Sequence, residues 1–149
     1  MNDKLFDVKY VDLNVVTTEK FATIKHLANL MEERLVDVDK YVEDVKTREA
    51  MSTTGIGDGV AIPHAKSSWV KKPTVVVGKS LKGIEWESLD DEPVHMVFLI
   101  AVPEGNGNEH LKILQMLAVS IMDDDFKEEL ENATDEKVIE KLLLDRTNN

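Results

Sequence analysis

The alternation of apolar and polar positions changes period several times along the chain, and each change marks an expected element. Between residues 5 and 16 apolar and charged residues mix with a loose period of two, through Phe6, Val8 and Tyr10, the pattern of an edge strand. From Thr17-Thr18 onward Phe21, Ile24, Leu27, Ala28, Met31 and Leu35 recur at helical spacing, which predicts an amphipathic helix with a threonine accepting from its first-turn amides. A second helix is expected over 39–50, with Val42 and Val45 on its inner face and Arg48-Glu49 at its C-terminal end. A short apolar strand then runs into His64, and a polar linker follows over 66–72. The β-branched run Thr74-Val75-Val76-Val77, bounded by Pro73 and Gly78, has the composition of a buried strand, whereas 79–92 is rich in turn formers and reads as irregular. The longest apolar run, 94–102, predicts a central strand lying beside the one that ends at His64. Asn108 is a good N-cap for a helix whose apolar face holds Leu111, Leu114, Leu117, Ala118, Ile121 and Met122. A short helical piece over 126–131 and a last helix capped by Thr134, with Val138, Ile139 and Leu142 inward, complete the pattern. This alternation predicts an α/β fold, a layered domain with a mixed, mostly parallel β-sheet flanked by helices on its faces, forming a single domain over 1–149.

Composition narrows what such a domain can do. A chain of 149 residues buries roughly two thirds of its unfolded surface in one core without staples. Cysteine is absent, so there is no disulfide, no thiolate metal site and no thiol nucleophile, as suits a reducing compartment. The net charge of −11, spread along the chain, argues against nucleic acid and suits a basic protein partner. The N-terminus has no basic segment followed by an apolar one, and no apolar run reaches the ~18–20 residues of a membrane helix, so a cytoplasmic protein without membrane insertion is expected. The start at Met1 and the polar end Thr147-Asn148-Asn149 favour a free-standing subunit.

The chemistry concentrates in Thr53-Thr54-Gly55-Ile56-Gly57-Asp58-Gly59-Val60-Ala61-Ile62-Pro63-His64. Glycines at alternate positions permit positive φ and leave amides uncovered for a close approach by a polypeptide or an anion. Pro63 fixes the approach to His64, so the imidazole is presented from stiff backbone. A neutral imidazole is a competent nucleophile toward phosphorus near neutral pH. The glycine spacing and the strand that follows do not fit a dinucleotide fingerprint, which needs a helix there. His110, expected in the first turn of its helix, sits where amide dipoles disfavour its protonation, and it can donate to an anion. Arg48 is carried to the edge of the glycine loop and can offset charge on a transferring group. His26 and His95 read as structural, and Asp123-Asp124-Asp125 as a solvated helix boundary.

Thr47-Arg48-Glu49, Thr54-Gly55-Ile56-Gly57 and Gly59-Val60-Ala61-Ile62-Pro63-His64 resemble the signature of the type-2 EIIA components of the phosphoenolpyruvate-dependent sugar phosphotransferase system, the fructose/mannitol group. The resemblance continues through Val97-Phe98-Leu99-Ile100-Ala101-Val102-Pro103-Glu104 and Asn108-Glu109-His110-Leu111-Lys112-Ile113-Leu114, and so covers nearly the whole chain. Ala65 departs from it, standing where the family more often has glycine, and a slight local change is expected from so small a residue.

The resemblance implies a phosphoryl carrier. His64 would accept a phosphoryl group through Nε2 from the phosphohistidine of HPr and pass it to a cysteine of EIIB, with membrane EIIC taking part indirectly. It gives His110 an orienting and stabilising role opposite the phosphorylated histidine. No metal or dissociable cofactor is required, because the donor is already activated and the site has mainly to align two side chains. The residues alone do not choose between the ring nitrogens. Ile56, Val60 and Trp69 are candidates for the rim on which partners dock. Two rival functions are a regulatory module of the nitrogen-related EIIA type and a partner-independent hydrolase with His64 as base and His110 as electrophile. The segment from Val97 to His110 resembles the sugar group more closely, and no cleft, nucleophile elbow or metal set supports the hydrolase.

Overall fold

The structure, a computed structural model, describes residues 6–105 and 109–147. The apolar run is strand β6 (Val94–Pro103), and it is the spine of the sheet. Its neighbours in sequence order are β1 (Val11–Asp12), β2 (Gly55–Gly57), β3 (Val60–Ala61), β4 (His64–Ser67) and β5 (Thr74–Ile84). The order across the sheet is β1-β5-β6-β3-β2, with β4 also paired to β6. β5 runs antiparallel to β6, while β3 and β4 run parallel to it on the other side. β1 pairs parallel with β5 at one edge and β2 antiparallel with β3 at the other, so the sheet is mixed, with three of five pairings parallel.

Both faces of the spine are covered, which is why its sequence reads as continuous rather than alternating apolar. Val97, Leu99 and Ala101 face α1 (Lys20–Leu30) and α2 (Val38–Met51). Met96, Phe98 and Ile100 face α3 (Glu109–Ile121), α4 (Asp124–Asn132) and α5 (Glu136–Thr147). The layered α/β architecture is therefore the expected one.

Several local expectations give way. α1 is capped by Glu19, whose carboxylate accepts from the Phe21 and Ala22 amides, rather than by a threonine. Thr17 instead shares a hydrogen with the Thr23 hydroxyl at 2.6 Å. α1 also stops at Leu30, because the Met31 amide turns back to Ala28 and a 3-10 turn over Glu32–Arg34 carries the chain to Leu35. Ahead of the edge strand, Val8–Tyr10 is a 3-10 turn capped by Asp7. β5 continues through residues expected to be irregular: Lys79 still pairs with Met96, and Ile84 rejoins at Val94 after a register shift. Leu81 and Lys82 are exposed at that end of the strand. The last helix is capped by Asp135, which accepts from the Lys137 amide at 2.8 Å, and not by Thr134. Met122 is 77 % exposed, since it lies past the end of α3 in the turn to α4. Leu117 and Ile121 are buried as expected. The Asn108 cap and the side chains of His110, Leu111 and Leu114 lie outside the described residues.

α2 is locked to the spine by a buried hydrogen bond in which the Tyr41 hydroxyl donates to the Ile100 carbonyl at 2.9 Å. Burial, with Asp44 nearby, pushes the pKa of this hydroxyl up and keeps it a donor. Tyr41→Phe removes this buried donor, so urea unfolding is expected to show a loss of about 1 kcal/mol at an unchanged m value.

Candidate functional site

The path to His64 begins as one strand and is interrupted once. Val60 pairs with Met96 and His64 with Ile100, so β3 and β4 keep the same register against β6. The interruption is Pro63, which has no amide hydrogen to give; its carbonyl still accepts from the Ile100 amide at 2.9 Å. His64 thus opens a strand rather than closing one, and the expected polar linker begins as the rest of β4. Its register partner Ile100 belongs to the α3 face, whereas Ala65 turns toward α1 and α2. A glycine at 65 would give up that packing, and alanine fits.

The half-buried imidazole is held by its own backbone. Nδ1 lies 2.8 Å from the Ile62 carbonyl oxygen. A carbonyl can only accept, so Nδ1 carries the proton and Nε2 keeps its lone pair in the neutral ring. Burial lowers the pKa of His64 below the ordinary 6.5; the hydrogen bond to Ile62 opposes this, Arg48 adds to it and Glu49 opposes it. The ring is consequently neutral at physiological pH. Protonation on acidification favours the unfolded chain, so this group's contribution to stability is present above the unfolded value and lost as pH falls through the folded one.

Arg48 comes from the last turn of α2, around the edge of β4. Its Nη1 donates to the Ser52 carbonyl at 3.0 Å, which holds the guanidinium at the helix end. Arg48, Met51, His64, Lys66, Asp44 and Glu104 line one cleft of about 430 Å³. The structure therefore brings together two of the three site residues expected from sequence, His64 and Arg48. His110 belongs to the first turn of α3, but its side chain is outside the described residues.

The glycine loop is built differently from expectation. Gly57 and Gly59 do have positive φ, flanking Asp58, itself at 56°. Gly55 is required instead by close packing, because a Cβ there would meet the Ser88 hydroxyl at 2.5 Å and Trp86 at 2.9 Å. The amides are not bare: Asp58 donates to the Asp90 carboxylate at 3.0 Å, Gly55 to the Thr53 hydroxyl and Ile62 to the Thr54 carbonyl. These bonds stiffen the hairpin and leave the named amides no donor for an anion.

Of the expected rim residues, Ile56 is exposed, Trp69 packs against the α1–α2 core under the Lys40 ammonium, and Val60 is in the opposite core at 1 % exposure. Val60 is thus removed from the rim, because its register beside Met96 points it inward. Met51, at the mouth of the cleft and 77 % exposed, is a rim residue that sequence reasoning missed. Glu49 was also missed. It continues the inward spacing of Val42 and Val45, is 5 % exposed, and accepts from the Thr54 amide at 2.8 Å and the Thr54 hydroxyl at 2.6 Å. Its burial was signalled by that spacing alone. His26 and His95 have structural partners, the Asp12 carboxylate at 2.7 Å and the Ser80 carbonyl at 2.9 Å. Asp123 caps α4 and pairs with Arg146, as a helix boundary should. Among the described residues no cluster of His, Asp or Glu is arranged to hold a metal ion, and no helix is long and apolar enough to cross a membrane. A groove of about 530 Å³ between α4 and α5 is lined by Asp125, Glu128 and Glu129, whose charge repels a phosphoryl group.

The fold and the cleft define a layered α/β domain that presents a histidine and an arginine together beside its sheet. The chain belongs to the EIIA 2 family of the phosphoenolpyruvate-dependent sugar phosphotransferase system, whose model matches residues 4–146. It is similar to the PTS system fructose-specific EIIABC component of Bacillus subtilis, 38 % identical over 87 % of this chain but only 21 % of that protein, so it spans about a fifth of that relative's length. It is similar also to the PTS system fructose-specific EIIA component of Haloferax volcanii, 35 % identical over 91 % of this chain and 90 % of that one. Among solved structures, the nitrogen regulatory protein IIA-Ntr from Neisseria meningitidis superposes with a TM-score of 0.87 at 25 % identity, covering 93 % of this chain and 96 % of that one.

Because the Arg48 charge opposes protonation of the ring, Arg48→Gln is expected to raise the His64 midpoint, read from its imidazole proton shifts in an NMR titration. A midpoint unmoved by this substitution would show that the guanidinium does not act on the ring.

Proposed function

We propose that His64 is the phosphoryl-carrying residue and that Nε2 is the nitrogen that bonds to phosphorus. The observation that carries this reading is the 2.8 Å contact between Nδ1 and the Ile62 carbonyl, in a family of phosphoryl-transfer components. The donor is the phosphohistidine of HPr. The Nε2 lone pair forms the new P–N bond while the P–N bond of the donor breaks and its electron pair returns to the donor imidazole. Positive charge that develops on the His64 ring is shared with the Ile62 carbonyl through Nδ1–H. Arg48 offsets the charge on the transferring oxygens, and His110, from the first turn of α3, orients the phosphoryl group by donating to it. In the second half of the cycle a thiolate of EIIB attacks phosphorus and the His64 electron pair is released. Neither step needs a metal or a dissociable cofactor.

The protein works in the cytoplasm, and its acceptor belongs to a fructose- or mannitol-type permease, the sugar being phosphorylated as it enters through the membrane EIIC component. The fused EIIABC relative, which joins the three components in one name, and the fructose-specific EIIA relative support this assignment. A second reading, regulation by phosphorylation state, is favoured by the likeness to IIA-Ntr and by a nitrogen regulatory protein of Pseudomonas aeruginosa 29 % identical over 91 % of this chain.

Intact mass spectrometry after incubation with phosphoenolpyruvate, enzyme I and HPr tests the central step. One acid-labile phosphoryl group is expected on the wild type, none on His64→Ala, and a slowed but measurable gain on His110→Ala. A folded wild type that gains nothing refutes the carrier. Chasing the phosphorylated protein with a panel of EIIB domains separates transport from regulation, since a regulatory module passes the group slowly or not at all to a sugar-specific EIIB.

A further inference from the structure

Beneath the glycine loop lies a continuous line of hydrogen bonds that ends on the imidazole. Lys20 and Glu49 form a buried ion pair, 9 % and 5 % exposed, with Nζ 3.6 Å from Oε2. Each carboxylate oxygen of Glu49 takes one donor from Thr54, the amide at 2.8 Å and the hydroxyl at 2.6 Å. The Thr54 carbonyl accepts from the Ile62 amide at 3.0 Å, and the Ile62 carbonyl accepts from His64 Nδ1 at 2.8 Å. We propose that Glu49 is a positioning residue, acting through Thr54 and the backbone on both sides of the Ile62 Cα to hold His64 in the tautomer whose Nε2 is free to attack.

This role rests on the reading of His64 as the phosphoryl acceptor, and it accounts for a feature that stability does not. Burying an ion pair is generally no more stabilising than burying apolar side chains of the same shape. What the carboxylate supplies is direction: two convergent acceptors fix both donors of one residue and so hold its backbone in place. If Thr54 turns, the Ile62 amide loses its acceptor, and rotation about the Ile62 Cα is freed to redirect the carbonyl that faces the imidazole. Nδ1–H then loses its partner, and the ring exchanges to the Nε2–H tautomer, which has no lone pair on the attacking nitrogen. Pro63 makes this the sensitive point, since with no amide hydrogen it leaves the Ile62–Pro63 step one ladder bond short. Glu49 is too deeply buried to touch a phosphoryl group; Arg48, its neighbour in sequence, lines the cleft instead.

The test uses the full chain labelled with 15N-histidine, with Glu49→Gln, Thr54→Val and Thr54→Ser compared at a pH above the His64 midpoint. Nitrogen shifts report the tautomer, and initial rates of phosphorylation by phosphoenolpyruvate, enzyme I and HPr report the consequence. The wild type and Thr54→Ser, which keeps both donors, are expected to show the Nδ1–H form. Glu49→Gln is expected to show a substantial Nε2–H population and a rate lower by about tenfold or more, with Thr54→Val shifted the same way by less. Wild-type nitrogen shifts in folded Glu49→Gln overturn the proposal, even if its melting temperature falls, because Glu49 would then be a structural anchor only. Thr54→Val decides by the same criterion if Glu49→Gln does not fold. A wild type that shows the Nδ1–H form but takes no phosphoryl group refutes the carrier reading and leaves the tautomer comparison to judge Glu49 separately.

Discussion

The parallel pairing of β3 and β4 with β6, broken only at Pro63, is the constraint on which the rest of the site depends. Because the register is the same before and after the break, the ladder places His64 beside Ile100, while the Ile62 carbonyl accepts from the imidazole. That carbonyl then fixes the ring. The same spine residue is held from the opposite face by Tyr41, so α2, and with it Arg48, is located relative to the strand that carries the histidine. A strand register, one proline and one buried phenol thus set two side chains from different layers around a single cleft.

Charge is distributed to match. The chain as a whole is at −11, and the cleft at His64 sets Arg48 and Lys66 against Asp44 and Glu104, while the Asp58 amide donates to the Asp90 carboxylate across the glycine hairpin. Amides of Asp58 and Glu92 hold the Asp90 carboxyl below its ordinary value, so the pairing persists into mild acid. A negative exterior attracts a basic protein, while a cleft in which two cations balance two carboxylates repels an anion less than the rest of the surface does. Exposed Met51 supplies apolar area at the mouth of that cleft, where a rigid partner surface would exclude water.

Much of this was legible in the sequence because period and composition agreed. The run at 94–102 could hardly be anything but a doubly covered strand, and α2 appeared within two residues of its observed ends because Val42, Val45 and Arg48 keep helical spacing. The glycine loop announced its histidine through Pro63. What failed to show was anything decided by partners distant in sequence. Residues 79–84 look like a turn, yet β6 recruits them into β5. Thr17 and Thr134 look like caps, but the acidic residue just before each helix is better placed to accept from two amides or to complement the helix dipole. Val60 looks like rim until its register beside Met96 turns it inward. Glu49 is the sharpest case, since its spacing after Val42 and Val45 points inward while its charge suggests solvent, and Thr54 and Lys20 are the partners that let it stay buried.

In the proposed carrier role His64 must receive and then give, so it must not hold its cargo too well, and the arrangement around it fits that limit. Binding that favours the phosphorylated state over the transition state would raise the barrier to release. Arg48 spends part of its hydrogen-bonding capacity on the Ser52 carbonyl, so it presents charge from a fixed position without closing a bidentate clamp of its own making. Burial keeps His64 neutral and nucleophilic at the start of the cycle, and the same burial disfavours extra charge on the ring once phosphorus is attached. The Ile62 carbonyl works in the opposite sense, easing the positive charge that attack creates. These two influences pull the ring in contrary directions, and their opposition keeps the imidazole ready to accept while leaving the phosphoryl bond able to break.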